Sequence, residues 1–268
     1  MVIMEKIKKQ ILLSNDDGID SPGLWAAAEA LSELGYVTVA APRDHMSATG
    51  RGHQRGSDGS ITKKVLNIRG QNWDVYAIGG SPSQTVLHGL IELVPQKPDL
   101  VVSGINFGEN LGTDVTYSGT IGAAIEGASF GIPALAVSRQ LTSEEWDGFA
   151  PEVDFSVSAY FTKVFAKILL EKKMPADVDV LNVVVPEEAT FDTPWKVTKQ
   201  AKIRYFKPFV QRDGQTAQIS SNTIKDEEIP PGNDMYTMRL EHKVAVVPIS
   251  LDLTSRVNLN EFEELLRK

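Results

Sequence analysis

Ile11-Leu12-Leu13-Ser14-Asn15-Asp16-Asp17-Gly18 is the stretch whose reading decides the fold. Three consecutive apolar residues without alternation read as a strand buried on both faces, the habit of a parallel sheet. The run ends abruptly in two adjacent carboxylates and a glycine. Ligands of open α/β sheets bind just past the carboxyl ends of such strands. Neighbouring carboxylates repel each other unless a cation lies between them. In a continuing strand they would point to opposite faces, but a turn at Gly18 would bring both onto one ion. The same three residues also read as a polar turn that leads into the next helix.

Working outward, strands and helices alternate. The strand Gln10–Ser14 is followed by a helix expected over Pro22–Leu34, with Ser21 as N-cap, Pro22 at the first position and Gly35 as the stop. Tyr36–Ala41 reads as a strand, and Pro42 to Ser60 as a long polar loop of the kind that usually carries function. Strands follow at Ile61–Ile68 and Trp73–Ile78, a helix over Pro82–Val94 and a buried strand over Asp99–Ser103. A second polar loop spans Gly104–Ser118. Then come a helix at Gly119–Phe130, a strand at Ala134–Ser138, a helix at Ala150–Lys172 and a strand at Val178–Val185. This alternation predicts an α/β fold: a Rossmann-like, doubly wound, mostly parallel sheet over residues 1–186. After Pro186 the texture changes. Trp195–Val210 and Gln215–Ile224 read as strands around an Asp213-Gly214 turn, Lys243–Val247 as a strand and Val257–Leu266 as a helix. Residues 187–268 are thus expected to be a C-terminal β-hairpin and helix extension, a type of arm that often packs on another subunit.

Composition narrows the chemistry. The 268 residues include no cysteine, which removes disulfides, thiolate metal sites and cysteine nucleophiles together. No two of His45, His53, His88 and His242 share a zinc-ligand spacing, so an oxygen-bound hard cation, magnesium or manganese, is the expected metal. The formal net charge of -8 argues against general binding to nucleic acid or membrane surfaces. An anionic substrate would have to be met locally, by a metal, helix N-termini or backbone donors. Met1–Gln10 does not read as a signal peptide, and no segment has the length of a membrane span, so a cytoplasmic protein is expected.

Three expected strands end in unusual loops, after Ser14, after Ala41 and after Ser103. In a parallel sheet such loops share one edge. Asp16 and Asp17 supply charge there, while Ser47 and Asn106 can supply neutral oxygens. An ion so held stays open to water and phosphate. Gly108, Asn110, Gly112 and Thr113 lead to Tyr117-Ser118-Gly119-Thr120 at a helix start, which reads as a phosphate site or as Ser118 or Thr120 capping that helix. Arg43 and His45 read as phosphate contacts or as solvated loop residues. Gly127-Ala128-Ser129-Phe130-Gly131 matches the nucleophile-elbow pattern, but a helix precedes it and a strand follows, the reverse of what that chemistry needs. His88 reads as a surface or packed residue and Trp25 as core.

The chain resembles the SurE family, the stationary-phase survival proteins that are 5′/3′-nucleotidases. The resemblance rests on Ile11–Gly18 with Ser21-Pro22-Gly23, on Val101–Asn106 with Gly108 and Asn110-Leu111-Gly112, on Tyr117–Thr120 with Ala123-Ala124 and Glu126-Gly127, on Gly131–Ser138, and on Val247-Pro248-Ile249 with Asp252-Leu253-Thr254. It implies a phosphomonoesterase acting on nucleoside 5′- and 3′-monophosphates with one divalent ion, magnesium or manganese, per subunit. By position the metal ligands would be Asp16, Asp17, Ser47 and Asn106. Asn110, Ser118, Gly119 and Thr120 would line the phosphate site, Asn15 would help shape it, and the subunits would form homodimers or homotetramers. Rival readings keep the fold but act on polyphosphate or broadly on phosphomonoesters, or bind nucleotides without turnover. The chain departs from the family pattern at Ala48, where a glycine is usual, at Gln84, near a usual acid, and at Ser250, near a usual histidine.

Overall fold

The computed structural model describes residues 8–68, 71–141 and 153–267. In chain order the elements are β1 (Lys9–Ser14), α1 (Pro22–Ser32), β2 (Gly35–Pro42), β3 (Ile61–Ile68), β4 (Gln71–Ile78), α2 (Pro82–His88), β5 (Leu100–Phe107), α3 (Gly119–Ser129), β6 (Ala134–Arg139), α4 (Ser156–Glu171), β7 (Val180–Val185), β8 (Trp195–Val197), β9 (Phe206–Asp213), β10 (Thr216–Thr223), α5 (Asp234–Arg239), β11 (Val244–Ile249) and α6 (Leu259–Arg267).

Nine strands form one sheet in the order β3-β4-β2-β1-β5-β6-β7-β11-β8, parallel except where β3 meets β4 and β7 meets β11. The chain winds outward from β1 through β2 and β4, then returns to β5 on the other side of β1. The order therefore reverses between β1 and β5, and crevices in α/β sheets open at such a point. The α/β class and the mostly parallel sheet expected from the alternation are what the chain forms.

The two-residue period of β1 builds both layers. Ile11 and Leu13 join the core under α1 and α4 with Leu24, Phe161 and Phe165. Leu12 faces the other way, with Val86 of α2 and Ile121 of α3. Each of the three is essentially solvent-free and contributes about 1.5–3 kcal/mol by burial. A third cluster, with Leu111, Val184, Tyr205, Met235 and Met238, lies beneath the extension.

Several boundaries differ from the sequence expectation. The α2 helix stops at His88, and Gly89–Leu93 widens into a π turn closed by Val94 N–H to Gly89 O at 3.0 Å. Gly89 presses on Leu12, whose methyls would lie 2.9 Å from a Cβ there. Strand β5 runs on past Gly104 to Phe107 because β6 continues to pair with it. The α4 helix begins at Ser156; residues 150–152 of the expected helix lie outside the described residues. Trp195–Val210 is not one strand but β8 and part of β9, separated by an irregular stretch. Ser21 holds the N-cap position of α1, yet its buried hydroxyl makes no cap bond. Residues 187–268 give β8 and β11 to the main sheet, while β9 and β10 form a separate antiparallel ribbon. Among the described residues no helix is long and apolar enough to cross a membrane.

Candidate active site

The turn after β1 is locked by Asn15. Its amide donates to Gly18 O at 3.0 Å and accepts from Gly18 N–H at 3.2 Å. Gly18 has φ +97°, a conformation that glycine adopts without a Cβ penalty. Asn15 thus shapes the turn with both ends of its side chain. Asp16 and Asp17 follow, nearly buried, and each is held by a different element. Asp16 Oδ1 accepts the Thr120 hydroxyl at 2.6 Å, and Asp17 Oδ2 accepts Phe107 N–H at 2.9 Å. The start of α3 and the end of β5 therefore fix the two carboxylates at one sheet edge.

Burial pushes the Asp16 carboxyl above its ordinary range, against the Thr120 bonds that favour its anion. Burial, and then the charge of Asp16, push Asp17 up to about 8. The nearby cation-capable side chain is His45, its Nε2 3.8 Å from Asp17 Oδ1. Two buried like charges with this little compensation suit an added cation. Among the described residues no three His, Cys, Asp or Glu side chains cluster as a metal site. An ion here would need neutral oxygens besides the two aspartates, the donor set of magnesium or manganese.

Candidates for those oxygens flank the pair. Asn106, half-buried at the end of β5, donates its Nδ2 to Gly108 O at 2.6 Å, which leaves its Oδ1 as the ligating group. The segment carrying Ser47 is tied to Asp16 by Met46 N–H to Asp16 O at 2.8 Å. Ser47 is exposed and hydrogen-bonded to His45. Ala48, at the family's usual glycine, has φ +58°, in the left-handed region.

The approach of α3 requires Gly119. A Cβ there would lie 2.8 Å from Asp16 Cβ and Oδ2 and 3.0 Å from Thr49 Oγ1. Ser118 caps the helix, accepting from Ile121 N–H at 3.2 Å, and Thr120 is engaged by Asp16. Both hydroxyls therefore have structural partners within the protein. Asn110 differs. Its N–H goes to Ser138 Oγ at 3.2 Å and its carbonyl accepts from Asn182 at 2.9 Å, but its buried Nδ2 has no partner among the described residues. An unpaired buried donor is costly, typically about 1–3 kcal/mol, and an anion would satisfy it.

Other readings resolve plainly. Arg43 is bound to Asp44, Asp58 and Ser60. Gln84 completes a capping box with Ser81 and also exchanges bonds with Gln54 N–H and Gln54 O, at 3.2 and 3.3 Å. A carboxylate could not make the second of these. Ser129 bonds its own helix and His88 pairs with Glu92. Trp25 is core, its indole N–H on Ile19 O, and Ser250 bonds Asp177. Sequence reasoning missed Thr120 as the partner of Asp16, and the buried Glu109, Asp114 and Asp234. Their partners are distant in sequence, and no local pattern marks them.

A family model described as Survival protein SurE matches residues 11–207. The 5′-nucleotidase SurE of Thermococcus gammatolerans is 41% identical over 261 residues, 96% of this chain and 96% of that protein. The 5′-nucleotidase SurE of Methanococcoides burtonii is 38% identical over 97% of this chain and 100% of its own length. The crystal structure of the SurE protein from Aquifex aeolicus superposes with a TM-score of 0.75 at 33% identity, covering 96% of this chain and 99% of that one.

Proposed function

The chain belongs to the SurE family, and on that premise we propose that it hydrolyses nucleoside 5′-monophosphates, and 3′-monophosphates as well, to nucleoside and phosphate. The reaction would use one divalent ion per subunit, magnesium or manganese, held by Asp16 and Asp17 with Ser47 and Asn106. The observation that carries this reading is the pair of buried, proton-favouring carboxylates at the sheet's switch point, together with the buried Nδ2 of Asn110 after β5, which has no partner among the described residues. The names of the relatives supply the nucleotide.

When bound, the ion would polarise a phosphoryl oxygen and lower the pKa of an attacking water. The protein's own residues do the rest. Thr120 and Phe107 N–H hold the two aspartates in place. Asn15 keeps the turn closed. Asn110 Nδ2 donates to a phosphoryl oxygen as its charge grows. Ser118 and Gly119 set the start of α3, whose positive end favours the anion. Local donors thus bind a phosphate on a chain of net charge -8.

The extension supports a homodimer or homotetramer. No residue of α6 is buried, and Leu259, Phe262, Leu265 and Leu266 stand exposed along it. Val210 and Ile219 are exposed on the β9–β10 ribbon. Asp17→Asn tests the catalytic reading. It should abolish metal-dependent phosphate release while the circular dichroism spectrum stays native. Retained turnover would remove Asp17 from the metal site.

A further inference from the structure

Asn110 sits in the loop from Gly108 to Tyr117, and two buried struts reach that loop from the extension. The first is Asp234, the opening residue of α5 and fully buried. Its Oδ2 accepts Gly112 N–H at 2.8 Å, while its Oδ1 accepts Ala201 N–H and Met235 N–H, each at 2.9 Å. Gly112 has φ +56°, and a Cβ on it would lie 2.1 Å from Met235 Cε and 2.5 Å from Ile203 O. Thr113 N–H donates to Ile203 O at 2.9 Å beside it. The second strut is Tyr205, whose hydroxyl interacts electrostatically with the buried Glu109 and accepts from Arg239 at 3.0 Å. Arg239 in turn holds Asp226 at 2.6 Å. Glu109 and Gly112 bracket Asn110.

We propose that Asp234 and Tyr205 are positioning residues that fix, through Gly112 and Glu109, the height at which Asn110 presents its Nδ2, which has no partner among the described residues. The extension is then part of the working site as well as an arm for assembly. This rests on the reading of Asn110 as a phosphoryl donor. Three N–H groups converge on Asp234, and only an acceptor-only side chain serves them all. In Asp234→Asn the single oxygen keeps Ala201 and Met235, and the new NH2 faces Gly112 N–H. Two donors then oppose each other, and the loop recedes from Asn110's working position.

A misplacement approaching 1 Å lowers turnover by up to about 100-fold. The test is a double-mutant cycle on the full chain with manganese and a nucleoside monophosphate. Asp234→Asn should lower kcat about 10- to 100-fold with KM nearly constant, since the lost contact strengthens in the transition state. Manganese affinity by calorimetry should not move, because Asp16 and Asp17 are held elsewhere. In an Asn110→Ala background the same change should alter kcat no more than about twofold. Tyr205→Phe, which keeps the ring and removes the hydroxyl, should show the same dependence on Asn110 and serves if Asp234→Asn does not fold. Equal losses in both backgrounds, or no loss beside an active wild type, would overturn the proposal alone. A wild type without phosphatase activity would remove the functional reading and the proposal with it.

Discussion

Gly119→Ala puts the smallest possible wedge between the start of α3 and Asp16. The new Cβ would lie 2.8 Å from Asp16 Cβ and Oδ2. Carbon atoms settle at about 3.5–4.0 Å, so helix and aspartate must part by about 1 Å. Overpacking of this kind costs about 1–3 kcal/mol. Alanine's helix preference returns at most about 1 kcal/mol, and less at a first helical position, so the steric term wins. The displaced Asp16 keeps its charge but loses its geometry with Thr120 and Asp17. Phosphate release should fall about 100-fold, and manganese affinity about 10- to 100-fold, as when the residues that orient metal ligands are altered. Gly56→Ala is the control. Its φ is not left-handed, and beyond its chain neighbours no atom of the described residues stands within 4 Å of its would-be Cβ, so turnover should not change. The assay is phosphate release with manganese titrated from limiting to saturating, alongside denaturant melts of both variants. Wild-type kcat and metal affinity in Gly119→Ala would refute the reasoning, since the close approach of α3 to Asp16 would then have no functional weight.

Ala48→Gly should raise stability by about 0.5–1 kcal/mol in urea denaturation. The left-handed conformation at Ala48 costs about 1–2 kcal/mol, and the added freedom of glycine in the unfolded chain offsets about 0.4–1 kcal/mol of that; a destabilised variant would count against strain at Ala48. In chelator, stability should decline as pH rises from the ordinary carboxylate range through about 8. Asp16 and Asp17 are both shifted upward, so the folded state holds protons that the unfolded chain releases near pH 4 (about the model-peptide value). Manganese binds the deprotonated pair, so the rise in melting temperature it gives should grow with pH across that window; a rise that shrinks with pH would contradict the electrostatics. Replacing Phe262 and Leu266 together by Glu should lower the mass seen by light scattering with the fold intact, and an unchanged oligomer would show that α6 does not join subunits.

How much could be read beforehand varied with the range of the interactions. β1 was legible because Ile11, Leu12 and Leu13 are buried on both faces, which leaves an unbroken apolar run. Asp16 and Asp17 were legible because adjacent carboxylates at a strand end are chemically conspicuous. Gly104 misled: a glycine that reads as a strand end lies inside β5, which pairs on as far as Phe107 opposite Arg139. The six-residue α5 is too short to show a helical period, and its Asn233 cap was lost among the turn residues Pro230, Pro231 and Gly232. Thr120 was read as a phosphate contact or a helix cap; its hydroxyl binds a residue 104 positions away. Asp234 reaches Gly112 across 122 positions. No local pattern encodes such pairs, because each partner's neighbours are chosen for a different element. Asn15 entered only through family resemblance, and the closed turn explains why that position carries an amide.

The most direct test of the central claim is phosphate release by the wild-type chain. The panel is 5′- and 3′-nucleoside monophosphates and short polyphosphate, each with manganese, with magnesium and with chelator. Release from nucleoside monophosphates that requires the metal and stops with chelator is the predicted result. Folded protein that binds nucleotide but releases no phosphate under either metal would contradict it.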